Sequence, residues 1–172
     1  MRPEELTKLL SSLPCPEVLL CVKAGDAKDV VAVTTMWVSY DPVIAAVYLK
    51  PGSVAHRLVN EGRNFTLNVV DESQNRAALT AGSMKGDAPG KIEQLGLSFA
   101  PSATVPSPRI EGVSASYECR VLKVAACGTH DLFLGLVTDS WVAGSGKPVI
   151  RYRGESRGLG AVLPGQDVKY PH

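Results

Sequence analysis

DVVAVTTMWVSYDPVIAAVYLK, residues 29–50, holds two apolar runs, Val30–Val38 and Val43–Leu49, separated only by the turn chemistry of Tyr40, Asp41 and Pro42. A third run, Val18–Val22, precedes them across AGDAKD, residues 24–29. These spacings predict three strands in succession, a meander, and leave no room for the crossover helices that a doubly wound parallel sheet needs. Within the middle run, TTMW (34–37) sets two hydroxyls before a thioether and an indole, where an ordinary half-buried strand would alternate apolar with polar. The expectation is that something planar lies against it.

Outward from this core, RPEELTKLLSSL (2–13) has an early proline, acids in its first turn and leucines at helical spacing. It predicts a short amphipathic helix packed on a sheet. SVAHRLVNEG (53–62) predicts a helix capped by Ser53 and ended by Gly62, followed by a strand over Phe65–Val70. DESQNRAALTAG (71–82) predicts another helix, and SMKGDAPGKIEQLG (83–96) a surface loop with one helical turn. From Ala115, apolar residues alternate with Ser116, Glu118 and Arg120, the mark of a half-buried strand. HDLFLGLVTDSWV (130–142) is apolar on both faces and predicts a central or interface strand. KPVIRYRG (147–154) is expected as the last strand, with an irregular, mobile tail beyond it. About seven strands with two or three peripheral helices predict one mainly β domain over residues 1–172, a β-barrel with helical decorations.

A net charge of +1 with interspersed acids and bases offers no basic face for nucleic acid. No apolar stretch reaches membrane-spanning length, and Glu4, Glu5 and Lys8 interrupt the place of a signal peptide, so a cytoplasmic protein is expected. Cys15, Cys21, Cys119 and Cys127 match neither zinc nor redox spacing and are expected to be buried, inert thiols.

LKPGSVAHRL (49–58) carries the strongest chemical signal. Gly52 permits close backbone approach, Ser53 supplies a hydroxyl, and the first helical turn offers amides at Val54, Ala55 and His56, with the Lys50 cation alongside. That set suits a phosphate, although a capped helix after a turn with a solvated lysine reads the same way. In TTMW, Thr34 and Thr35 would meet the polar edge of a flat heteroaromatic while Met36 and Trp37 cover its face or rim; a strand end with a core Trp is the alternative. His130 beside Asp131 could contact nicotinamide or handle a proton, but neighbours in a strand face opposite ways. His56 at a helix start reads as packing or solvated more than catalytic. Lys85 and Lys91 sit in the Gly-rich loop within reach of a phosphate or substrate. Arg151, Arg153 and Arg157 form a basic cluster suited to a cofactor phosphate or a subunit contact.

Five segments, in order along the chain, resemble the flavin reductase-like, FMN-binding split-barrel family, with flavoredoxins nearest. They are VAVTTMWVSYDPVIAAVYLKP, SVAHRLVNEGRNFTLNVV, AGSMKGDAPGKIEQLGLSF, YECRVLKVAACGTHDLFLGLV and PVIRYRGESRGLG. The resemblance implies a Greek-key split barrel, a homodimer, and FMN near the subunit interface. By position, Thr34, Thr35, Met36 and Trp37 would line the isoalloxazine, and Lys50, Pro51, Gly52, Ser53, Val54 and Ala55 would hold the ribityl phosphate. Ser83 and Lys91 would close the site, and His130 would sit near the nicotinamide or flavin edge. Val54 and Ala55 stand where many members have Ser-Thr, Val43 replaces a second proline, and Arg157 replaces an aromatic residue.

The implied activity is transfer of hydride from NADH or NADPH to FMN, then of electrons to free flavin, a redox partner protein or a metal ion. Two other functions fit the residues: an electron relay that holds FMN without taking hydride, and a split-barrel module for haem or a pyridoxal-type cofactor.

Overall fold

The structure, a computed structural model, describes residues 2–161. Helix α1 (Pro3–Ser11) leads into a two-residue strand, β1 (Cys15–Pro16), and then four long strands: β2 (Val18–Ala24), β3 (Ala27–Val33), β4 (Thr35–Tyr40) and β5 (Val43–Leu49). The sequence reads Val30–Val38 as one strand, but the chain splits it at Thr34. β3 pairs with β2 from Val18↔Val33 to Ala24↔Ala27, whereas β4 pairs with β5. Residues on both sides of Thr34 favour strand, so no turn residue marks the change of partner.

Helix α2 (Val54–Gly62) and strand β6 (Asn64–Val69) follow, then a 3-10 turn at Glu72–Gln74 that runs into α3 (Asn75–Ser83). A single turn, α4 (Lys91–Gln94), and two short strands, β7 (Phe99–Ala100) and β8 (Arg109–Ile110), precede the long hairpin of β9 (Ala115–Cys127) and β10 (His130–Val142). The last described strands, β11 (Val149–Tyr152) and β12 (Glu155–Gly158), make a three-stranded sheet with β1. The expected irregular tail therefore begins as a strand; the mobile end expected beyond it lies outside the described residues. Helix α2 ends on Gly62 as expected, but the left-handed cap conformation is taken by the next residue, Arg63, at φ 54°.

The main sheet has seven antiparallel strands in the order β3-β2-β6-β9-β10-β5-β4. Its two edges, β3 and β4, are joined by Thr34 alone. Flat, those edges would stand about 29 Å apart, six spacings of about 4.8 Å. The two Cα-to-Cα steps from Val33 to Thr35 span about 7 Å. The sheet must therefore roll into a barrel with its seam between β3 and β4. This is the split-barrel architecture, mainly β with peripheral helices; β10 is central in it, as its two apolar faces predict.

Inside the barrel Val18, Leu20, Val47, Phe65, Leu67 and Phe133 form the core, with Leu58 and Val59 of α2 closing one end. A second core, around Leu19, Cys21, Val30, Ala78 and Ala81, lies outside β2 and β3 under α3. Burial pushes the thiols of Cys21 and Cys119 up to about 12, so both are inert. Cys15 is half-buried and Cys127 exposed, against expectation, because Cys127 falls at the tip of the β9–β10 hairpin. Helix α1 does not pack on a sheet: none of its residues is buried, and Leu6, Leu9 and Leu10 face outward.

β9 is buried on both faces over its first half, not on one. Loop 101–110 covers its outer side, and the polar residues there hold that loop. Glu118 accepts from the amides of Ala103 (2.8 Å) and Thr104 (2.6 Å) and from the Thr104 hydroxyl (2.7 Å). Asn68 accepts from Ile110 N and Ser116 Oγ, each at 3.0 Å. Alternation of polarity marked those positions as solvent-facing; their partners lie far away in sequence.

Two predictions follow from this packing. A Cβ at Gly135 would fall 2.5 Å from Phe65 Cζ and 3.1 Å from Cys119 Cβ. Gly135→Ala is expected to cost about 1–3 kcal/mol in urea denaturation, through overpacking. Burial alone would raise the Glu118 carboxyl, but the Thr104 hydroxyl, the Ala103 and Thr104 amides and the Arg109 cation outweigh it and hold it below its ordinary value. A depressed folded-state value adds stability above the unfolded value, and that stability is lost as pH falls through the folded one. Glu118→Gln is therefore expected to cost about 2 kcal/mol at neutral pH. The difference from the parent protein should shrink as melts are taken into the acid range below the ordinary carboxylate value.

Candidate flavin site

At the end of β5 the chain turns through Lys50-Pro51-Gly52-Ser53, closed by Ser53 N–H donating to Lys50 O at 3.1 Å. Gly52 takes φ +83°, a conformation L side chains resist, which accounts for a glycine here. Ser53 then caps α2: its Oγ accepts the His56 amide at 3.2 Å. Of the three first-turn amides expected to be open, that of His56 is therefore already used. The amides of Val54 and Ala55 have no intrahelical acceptor, and the Ser53 hydroxyl proton is still available to donate. Lys50 is exposed and makes no ion pair among the described residues. Two amides, a hydroxyl and a cation around one turn fit an anionic phosphate.

Loop 84–90 crosses this helix start. A Cβ at Gly86 would lie 2.6 Å from Val54 Cβ and 2.6 Å from Asp29 Oδ2, so only glycine lets the loop lie this close. Lys91, expected to reach the site from solvent, is instead buried, its Nζ donating to Asp29 Oδ1 at 2.7 Å. Each of these two side chains is 2% exposed. Its charge is committed to holding α4 against β3, because a buried ammonium needs a paired counter-charge. Ser83 ends α3, exposed, with its hydroxyl donating to Thr80 O at 3.0 Å. Lys85 is exposed.

Thr34 occupies the seam itself. Thr35 sits opposite Val47, two residues before the end of β5, so the TTMW stretch and the phosphate cradle share one end of the barrel. The Thr35 hydroxyl donates to Ala46 O at 2.9 Å, so its proton is committed to the sheet and only the oxygen is left to accept from a ligand edge. Strand alternation separates Met36 from Trp37: Trp37 lies opposite Ala45 on the barrel side, its ring edge-on to Tyr117 at 4.9 Å, and Met36 projects from the other face. The two therefore cannot cover one face of one ring together. Both are largely exposed for apolar residues, at 40% for Trp37 and 57% for Met36.

His130 closes the β9–β10 hairpin opposite Cys127 and is exposed, its Nδ1 2.9 Å from Thr129 Oγ1. Asp131 turns away from it and pairs with His56, Oδ2 to Nε2 at 2.7 Å, under the edge of Phe133. No local pattern signals this pair, because its members stand 75 residues apart. It joins the start of α2 to the start of β10, and so ties the cradle to the hairpin that carries His130. The arginine cluster divides: Arg151 pairs with Glu17 at 3.1 Å, Arg157 pairs with Glu155, and Arg153 lies over the Tyr152 ring.

Residues 10–160 match the family model of the flavin reductase like domain. An uncharacterized protein of Pyrococcus abyssi is 32% identical over 114 residues, which is 66% of this chain and 65% of that protein. The NADH:FAD oxidoreductase of Streptomyces globisporus C-1027 superposes with a TM-score of 0.84 at 18% identity, over 94% of this chain and 97% of that one. Flavoredoxin of Desulfovibrio vulgaris (Miyazaki F) does so with a TM-score of 0.80 at 23% identity, over 90% and 92%. With its rolled sheet, its seam and a family match across nearly all the described residues, the chain belongs to the flavin reductase-like family.

Proposed function

We propose that the protein is an NAD(P)H-dependent flavin reductase that binds FMN and hands electrons to free flavin, a redox partner protein or a metal ion. The observation that carries this reading is the meeting of the Lys50–Ala55 cradle and the Thr34–Trp37 seam at one barrel end, within a chain of this family. A bound flavin would supply the hydride acceptor and the electron carrier. The protein's part is then binding and orientation. The Val54 and Ala55 amides, the Ser53 hydroxyl and Lys50 hold the phosphate, while Trp37 or Met36 sets the plane of the ring. His130 stands exposed at the hairpin tip, on the side where a nicotinamide would enter. His56 and Asp131 act as a clasp, since hydride transfer to a flavin requires no acid–base pair in the protein.

The site is an open surface in a single chain. Met36 and Val38 of β4 are large apolar residues exposed beside it. A second copy covering these residues would enclose the flavin, which supports a homodimer with the cofactor near the interface. Among the described residues no helix is long and apolar enough to cross a membrane. The similarity to flavoredoxin favours a second reading, an electron relay that holds FMN without accepting hydride.

The test is anaerobic addition of FMN, then of NADH or NADPH separately, with the flavin's visible absorbance followed against a protein-free control. Rapid bleaching is the expected result and names the donor. Flavin that binds but stays oxidised would transfer the case to the relay. Lys50→Ala and Ser53→Ala are each expected to weaken FMN binding about tenfold, the loss of one charge-assisted contact. Lys50→Ala should leave stability unchanged, whereas Ser53→Ala also removes a helix cap and should cost about 1 kcal/mol. Unaltered FMN affinity in both variants would remove the phosphate assignment.

A further inference from the structure

A cleft of about 600 Å³ lies away from the cradle. It opens on the outer face of the β2–β3 hairpin. Cys21 and Val30 form its floor, Ile92 and Phe99 one side, and Val105 and Pro106 the other. The proline-bearing side is a fixed wall. Glu118 binds it at Ala103 and Thr104, Thr66 Oγ1 donates to Pro108 O at 2.6 Å, and Lys23 N–H donates to Ser107 Oγ at 2.9 Å. Buried polar residues thus hold the cleft open before any ligand arrives, and its size is that of a small-molecule site.

Two cations stand at its mouth. Lys23 and Lys28 are cross-strand partners, so their side chains leave the hairpin on one face, the same face as Cys21 and Val30. Like charges directly opposite each other destabilise a strand pair. Neither lysine forms an ion pair among the described residues. Asp26, in the hairpin turn, lines the mouth without pairing with either, and Asp29 is committed to Lys91. An apolar, preformed cleft with two unneutralised ammonium groups at its rim is complementary to a small anion with an apolar body.

We propose that this cleft binds a small carboxylic acid with an aromatic or aliphatic body, its carboxylate held between Lys23 and Lys28, at a site separate from the flavin cradle. The two sites lie back to back: Asp29 lines the cleft, and its free oxygen faces Gly86, which rests on Val54 of the cradle.

Calorimetric titration of the flavin-free protein with benzoate, phenylacetate and octanoate tests this, with benzyl alcohol as the uncharged control. At least one acid is expected to bind saturably, about tenfold more tightly than the alcohol. The double variant K23Q/K28Q should lose about tenfold in acid affinity. Its melting temperature should be unchanged or higher, since a like-charge pair has been removed, and its FMN affinity should be that of the parent. Ser53→Ala should leave acid binding intact while FMN binding weakens, which keeps a failure here distinct from a failure of the flavin assignment. No saturable binding by any acid, or binding that survives K23Q/K28Q, would overturn the proposal. So would a loss of FAD affinity in K23Q/K28Q without acid binding, which would give the lysines to the distal half of a dinucleotide.

Discussion

A single residue, Thr34, joins the two edges of a seven-stranded sheet, and the rest of the molecule answers to that constraint. Because β3 and β4 are consecutive in the chain but terminal in the sheet, the sheet has no flat solution. Rolling it encloses one apolar face as the barrel core and turns the other outward, where α3, α4 and loop 101–110 must cover it. The same constraint leaves β4 with only one hydrogen-bonded neighbour, β5, so its aromatic and thioether side chains stay open at the seam. A strand edge that would otherwise be a liability is thereby placed beside the turn that can hold a phosphate.

The parts of this arrangement that local chemistry determines were legible in the sequence. Strand and helix content, the Ser53 cap and the Pro51-Gly52 turn all follow from residues within a few positions of one another. The split at Thr34 was not legible, since Val33, Thr35 and their neighbours all favour extended backbone and only the choice of partner strand changes. Local pattern offers the Thr35 hydroxyl to a ligand, whereas its proton goes to Ala46 on the next strand. Local pattern reads Lys91 as a loop cation, whereas its partner Asp29 lies 62 residues away. His56 and Asp131 stayed unconnected for the same reason. In each case a polar side chain that local pattern assigned to solvent or ligand is used to fasten two distant elements.

That habit is general in this protein. Asn64, Thr66, Asn68, Ser116 and Glu118 form a buried polar band on the outer face of β6 and β9, and their hydrogen bonds go mainly to backbone of a long loop. An apolar band there would have bound a helix by area alone. A polar band specifies register, because each donor must meet its acceptor or remain unsatisfied at a cost. The loop consequently has one position on the sheet, although it contains little regular structure of its own.

Gly86 shows how far such fastening limits change over evolutionary time. Its backbone rests between a helix start that can hold an anion and a buried ion pair that secures α4. A side chain at this position would have to displace Val54 or Asp29, so drift here is coupled to both the ligand and the scaffold. Asp87 and Pro89, a few residues on, are exposed and carry no such double obligation. Within one short loop, packing leaves the tip unconstrained at Asp87 and Pro89 and the root tightly constrained at Gly86, so extra residues are accommodated at the tip.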